Sequence, residues 1–265
     1  HRYPLECTMG FLILANGVPI GYGGSSMVFH QANTGINIFD EYRGSEAAWL
    51  WVQVMRLFHA LSGCSRFIAN PYQFGEDNPE ALKSGAFWFY YRLGYRPVDP
   101  DVRELALAEH RKIRGQTGYR TPLIVLKQLA TCDMHLGLPG ARKTQLFDES
   151  WVEICSLLAT RQLARTGQQS RRRAQDVVAR ELAAVLDIDS MESWTGEERR
   201  WFVRMAPIVS ATSPESWSRS AKQSLVALMR AKGGDVERDY VRRLARHEQF
   251  FTALKKACQQ TARAL

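Results

Sequence analysis

The 265-residue chain has no apolar run of the roughly 20 residues that a bilayer-spanning helix needs, which argues against a helical membrane protein. It has no CxxC pair, and its six histidines show no metal-ligand spacing with each other or with cysteine. A zinc site and a thioredoxin-type redox motif are therefore not expected. There is no GxSxG elbow of the hydrolase kind. The stretch Gly137-Leu-Pro-Gly-Ala-Arg-Lys143-Thr144 comes near a P-loop, but Arg142 stands where that loop needs glycine to cradle a phosphate. The five cysteines (Cys7, Cys64, Cys132, Cys155, Cys258) are scattered and odd in number, so no disulfide framework is expected. The opening HRYPLECTMG does not read as a signal peptide. Together these absences describe a cytoplasmic protein with reduced, mostly buried thiols, neither metal-bound nor membrane-bound.

Hydrophobic residues make up 45% and aromatics 11%, enough to build cores and too much for a disordered chain. The net charge of +8 is unevenly spread. Residues 1–150 hold 15 Lys+Arg against 14 Asp+Glu, whereas residues 151–265 hold 20 against 13. Glycine is equally lopsided, with 15 in the first stretch and 4 in the second. Halves so different in composition imply two domains, drawn here at 1–145 and 146–265.

The first half alternates between extended and helical patterns. MGFLILANG and VPIGYGGSSMVF flank Asn16-Gly17, a pair suited to a type I′ hairpin turn. TGINIFDEY reads as a third strand. From Ser45, a candidate N-cap, Ala47, Leu50, Trp51, Val54, Phe58 and Leu61 keep helical spacing until Gly63. SRFIANPYQF reads as a buried strand, EALKSGAFWFYYRLG as one helix ending at Gly94, and YRPVD as a strand. Two strand–helix–strand passages in succession imply parallel pairing. LALAEHRKIRGQTGYRTPLIVLKQLA adds a helix and then either a strand or another helix. From about Phe147 the strand signal stops, and five segments of three-to-four-residue apolar spacing imply a helical bundle. Asp148, Thr195 with Glu198 as capping-box partner, and Ser218 are the expected starts; Gly167 and Gly233 are the expected stops.

One segment carries a resemblance. RGSEAAWLWVQVMRLFHAL, RFIANPYQF and ALKSGAFWFYYRLGYRPV resemble, in order and spacing, the GNAT superfamily of acyl-CoA-dependent N-acyltransferases. The resemblance covers roughly residues 9–100 and implies a GNAT-like mixed sheet with flanking helices, here followed by an all-α helical domain. The family's phosphate turn, Arg/Gln-x-x-Gly-x-Gly/Ala at a helix N-terminus, falls on Arg43-Gly44-Ser45-Glu46-Ala47-Ala48. Backbone amides there would hold the coenzyme A pyrophosphate, since unpaired N–H groups and the helix dipole favour an anion. The implied cofactor-binding residues are Arg43, Gly44, Ser45, Ala47 and Ala48, and the co-substrate is acetyl-CoA or another acyl-CoA. Glu46 departs from the family pattern, which has glycine there.

The family's Tyr-x-x-x-Gly-Phe/Tyr ending is matched by Tyr90 within Phe89-Tyr90-Tyr91-Arg92-Leu93-Gly94-Tyr95. The resemblance implies that Tyr90 protonates the departing thiolate, although an aromatic run such as FWFYY is equally an ordinary core. A carboxylate before the phosphate turn would take the amine proton; of Asp40 and Glu41, strand alternation lets only one face the cleft, and Glu41 is favoured. Lys83 stands where the family has asparagine, and its opening strand and two helices find no room before Met9. The expected function is acyl transfer to a small-molecule or protein amine. The alternative is a catalytically silent binding or assembly module whose helical domain meets a protein partner. Arg171-Arg172-Arg173 and Arg242, Arg243, Arg246 leave nucleic-acid contact open without supplying a recognition motif.

Overall fold

The computed structural model describes residues 5–44, 46–141, 146–148 and 150–265. They divide into two compact units, one of residues 8–60 and 64–141, the other of residues 5–7, 61–63 and everything from 146 onward. No helix is long and apolar enough to cross a membrane among the described residues.

The first unit is a six-stranded mixed sheet with flanking helices. Strands β1 (Cys7–Ala15) and β2 (Val18–Val28) meet at Asn16 and Gly17, whose φ values of 51° and 81° make the turn the sequence predicts. β3 (Gln31–Ile38) runs antiparallel to β2 along its whole length, from Val28↔Gln31 to Gly21↔Ile38. Helix α1 (Ala47–Ser62) follows and buries Trp51, Met55 and Phe58, one helical face. β4 (Arg66–Ala69) then pairs with β3 in parallel, as expected.

Several readings of this half need correction. β4 stops after four residues because Asn70 is followed by Pro71, which cannot donate to a ladder, and Pro71–Phe74 coil into a 3-10 turn. The single helix expected over EALKSGAFWFYYRLG is two, α2 (Pro79–Ser84) and α3 (Ala86–Arg92), broken at Gly85, whose φ of 67° is left-handed. β5 (Arg96–Pro97) does not pair with β4. After α4 (Pro100–Gly115) and α5 (Leu123–Leu129), which settles the strand-or-helix alternative as helix, a strand missed by the sequence reading enters. This is β6 (Met134–Gly137), antiparallel to β4 on one side and to β5 on the other, giving the order β1-β2-β3-β4-β6-β5. The second passage therefore does not produce a directly paired parallel neighbour. Asp40 and Glu41, expected at a strand end, lie in a 3-10 turn, Asp40–Tyr42. The P-loop-like residues Arg142, Lys143 and Thr144 fall outside the described residues, as does Ser45.

The second unit is helical: α6 (Trp151–Ala164), α7 (Arg171–Val185), α8 (Gly196–Ser210), α9 (Arg219–Lys232), α10 (Glu237–Arg246) and α11 (Glu248–Ala262). Thr195 and Glu198 form the expected capping box at α8, and Ser218 caps α9 by accepting from the Ala221 amide. Glu198 has a second use, accepting from Arg230 Nε at 2.9 Å, which ties α8 to α9. Gly233 at the end of α9 allows close approach: a Cβ there would lie 2.6 Å from the Glu197 backbone. Residues 5–7 belong to this unit through polar contacts. Tyr240 Oη donates to the Leu5 carbonyl at 2.6 Å, and the buried Lys232 ammonium donates to the Glu6 carbonyl and the Glu237 carboxylate. A buried cation is tolerable only when satisfied in this way.

The last apolar-periodic segment, read as one helix, breaks at His247. This residue is buried, caps α11 by accepting at Nδ1 from the Phe250 amide (3.2 Å), and places Nε2 3.3 Å from the Ala221 carbonyl. Those two bonds require Nδ1 unprotonated and Nε2–H as donor. Burial pushes the His247 imidazole below its ordinary range. A folded value below the unfolded one means that the unfolded chain binds more protons, so this stability is present above the unfolded value and lost as pH falls. Denaturant unfolding should show the helical unit weakening between about pH 7 and about pH 5, the range around an ordinary histidine. His247→Asn keeps a capping oxygen and should flatten that dependence, whereas His247→Ala should cost about 1 kcal/mol or more near pH 7 and progressively less as the pH falls.

Candidate functional site

The early end of β4 creates the site. β3 and β4 are paired from Gln31↔Arg66 to Asn33↔Ile68, after which β3 continues to Ile38 without β4 beside it. A cleft of about 370 Å³ lies where the strands part. Ile36, Asn37 and Ile38 of β3 form one wall, and Gln73 of the 3-10 turn lies opposite, close enough to meet a Cβ placed on Gly35 at 3.6 Å. Asn78 lines the far side and caps α2, its Oδ1 accepting from the Ala81 amide.

Tyr90 of α3 lines this cleft, with its ring held by edge contacts to Trp51 (5.8 Å), Phe74 (6.1 Å) and Tyr95 (5.3 Å). Its hydroxyl donates to Gln73 Oε1 at 2.6 Å. Burial raises the phenol well above its ordinary value near 10, so it stays protonated through the neutral range. Tyr90 is thus both a core aromatic and a cleft residue; the two readings open in the sequence are compatible.

The mouth is made by the turn before α1. Arg43, Gly44 and Ala47 line the cleft, so the structure brings these three together with Tyr90. Ala48, half-buried on α1, and Glu41, exposed in the 3-10 turn, are not among the lining residues. Glu46 is exposed and also outside the lining. Lys83 is exposed and outside it too.

The electrostatics of the mouth were not visible in the sequence. Arg43 Nε donates to the Ile38 carbonyl at 2.9 Å, and Nη1 pairs with Asp40 at 3.0 Å and with Glu80 of α2. Arg92, at the end of α3, lines the cleft with no ion-pair partner among the described residues. Two cations therefore border the cleft, one of them already engaged. Both ion pairs of Arg43 are solvent-exposed, and pairs of that kind are worth about 0–1 kcal/mol each. A multiply charged anion can displace them. The α1 N-terminus adds first-turn amides, of which Ala47 N–H already donates to the Gly44 carbonyl at 3.3 Å.

Sequence reasoning missed Gln73, Asn78, Glu80 and Arg92. Gln73 and Asn78 are set by the proline-led turn after β4, and neither falls within a recognisable motif. Among the described residues no group of three or more His, Cys, Asp or Glu side chains could hold a metal ion. Comparison with protein-family models, curated proteins and solved structures yields no match.

The Tyr90–Gln73 bond can be separated from the ring's packing. Tyr90→Phe should cost about 1 kcal/mol of unfolding free energy, because the half-buried Gln73 can turn to water. Tyr90→Ala should cost about 3–5 kcal/mol through the cavity left among Trp51, Phe74 and Tyr95. Equal losses in denaturant titrations would contradict the packing role.

Proposed function

We propose that the sheet unit is an acyl-CoA-dependent N-acyltransferase of the GNAT type, passing an acyl group from acetyl-CoA or another acyl-CoA to a small-molecule or protein amine. The observation that carries this reading is the opening of the parallel β3–β4 pair after Asn33, with the Tyr90 phenol lining the space. Its volume of about 370 Å³ is that of a small-molecule site. In a GNAT-type enzyme the pantetheine arm would lie between these two strands.

The co-substrate would supply an acyl group activated as a thioester. In this reading, Arg43 and Arg92, with the backbone at Gly44 and the first turn of α1, hold the pyrophosphate. Tyr90 keeps its proton until the thiolate departs and would then give it up, because the partly dry site that raises the phenol raises the basicity of the thiolate as well. Gln73 accepts from the Tyr90 hydroxyl and fixes the direction in which it points. Glu41 is exposed and outside the cleft lining, so it would receive the amine proton through water rather than directly.

Calorimetry with acetyl-CoA tests the binding half of this reading. Saturable heat is expected, and none at millimolar ligand with folded protein would sink it. Glu80→Gln, which releases one partner of Arg43, should tighten binding by up to about fivefold, the equivalent of roughly 1 kcal/mol for an exposed pair. Weaker binding would mean that Glu80 contributes to the site.

A second reading is favoured by one observation, the occupation of Arg43 by Asp40 and Glu80. It is a GNAT-like domain that no longer catalyses and serves binding or assembly. The kinetic consequence of Tyr90→Phe separates the two. As an acid, Tyr90 should carry about 10²–10⁴-fold of the turnover. An unchanged rate would favour the silent module.

A further inference from the structure

The helical unit carries a cleft of its own, of about 600 Å³, between α6, α7 and α8. Pro207 and Ile208 of α8, Ala174 of α7 and Cys155 of α6 line its inner part; Arg171 and Arg204 are its cations. No aspartate or glutamate is among its lining residues, and neither arginine has an ion-pair partner among the described residues. Cys155 sits in the second turn of α6, 1% exposed, so only a very small reagent coming through the cleft can touch its sulfur.

Behind Cys155 lies a second thiol. Cys258 of α11 is fully buried, and its Sγ is 3.5 Å from Cys155 Sγ although 103 residues separate the two in the chain. No disulfide joins them. A disulfide bond is about 2.05 Å long, so closure asks the two sulfurs to approach by roughly 1.5 Å, within reach of side-chain rotation and a small adjustment of the α6–α11 packing. The thiols are not equivalent. Cys258 is pushed up by its hydrogen bond with Cys155 and by burial, and so keeps its proton. Cys155 is the one of the two that lines the cleft.

We infer that Cys155 and Cys258 are a redox-active dithiol that a small hydroperoxide, entering by the α6–α7–α8 cleft, converts to a disulfide between α6 and α11. In the first step the Cys155 thiolate attacks the distal peroxide oxygen. The O–O bond breaks, the sulfur becomes a sulfenic acid, and water or an alcohol leaves after taking up a proton. In the second step the Cys258 sulfur attacks Cys155 Sγ, the S–O bond breaks, and the hydroxyl leaves as water with the Cys258 proton. Two thiols are oxidised and one hydroperoxide is reduced. An external dithiol returns the pair by exchange once local opening of the helices exposes the disulfide. The narrow approach to a residue 1% exposed selects a peroxide over a bulky disulfide oxidant.

The test uses the full chain. Folded protein is treated with excess hydrogen peroxide, the reagent is removed, and thiols are titrated under denaturing conditions, followed by non-reducing peptide mapping. The chain has five cysteines, and the titration should fall from five thiols to three, with one cross-link, Cys155 to Cys258, that dithiothreitol reverses. In Cys258→Ser, oxidation should stop at a sulfenic acid on Cys155, which dimedone captures when added with denaturant. In Cys155→Ser, Cys258 should stay reduced. The inference is overturned if all five thiols of the unaltered chain survive, if the cross-link maps to other cysteines, or if Cys258 oxidises as fast without Cys155. The result with the unaltered chain stands whether or not either variant folds.

Discussion

The first unit is organised by one constraint, the length mismatch between two parallel strands. β3 has eight residues and β4 four, because Asn70-Pro71 ends the ladder. Past Asn33 the β4 side of β3 has no strand, and what stands there instead is side chain: Gln73 from the proline-led turn and Tyr90 from α3. The cleft and the 2.6 Å Tyr90–Gln73 bond follow from that early stop. A longer β4 would close the sheet and remove the site.

The aromatic packing around this opening serves two purposes. Trp51, Phe74 and Tyr95 hold the Tyr90 ring by edge contacts, each of the kind that adds a fraction of a kcal/mol to about 1.5 kcal/mol beyond simple burial. The same burial raises the Tyr90 phenol and keeps it protonated. Rigidity and the retained proton thus have one physical source. The mouth is different in kind. Its exposed charges, Arg43, Asp40 and Glu80, contribute little to stability.

The helical unit relies on buried polar groups that are fully satisfied. Lys232, Tyr240 and His247 each spend their hydrogen bonds on backbone carbonyls or a helix end, and the unit takes in residues 5–7 for the same reason. His247 also shows why one periodic segment became two helices. An imidazole that caps the second helix cannot continue the first, and nothing in the apolar spacing distinguishes a cap from a helix-interior residue. Gly85 divided another expected helix by adopting a left-handed φ, which glycine permits but does not require.

Local chemistry was legible without the structure. Asn16-Gly17 specified its turn, the spacing from Ala47 to Leu61 specified α1, Thr195 with Glu198 specified a capping box, and the drop in glycine after residue 150 separated sheet from helices. All of these depend on neighbours within a few residues. Of the site, the turn residues Arg43, Gly44 and Ala47 and the aromatic Tyr90 were named through the family resemblance, but their partners could not be. That Gln73 would meet Tyr90, that Glu80 would meet Arg43, that β6 would enter between β4 and β5, and that Cys155 would meet Cys258 across 103 residues are contacts between distant parts of the chain. Only tertiary packing decided them, because a residue's type says what bond it can make and the fold alone determines which partner comes within reach.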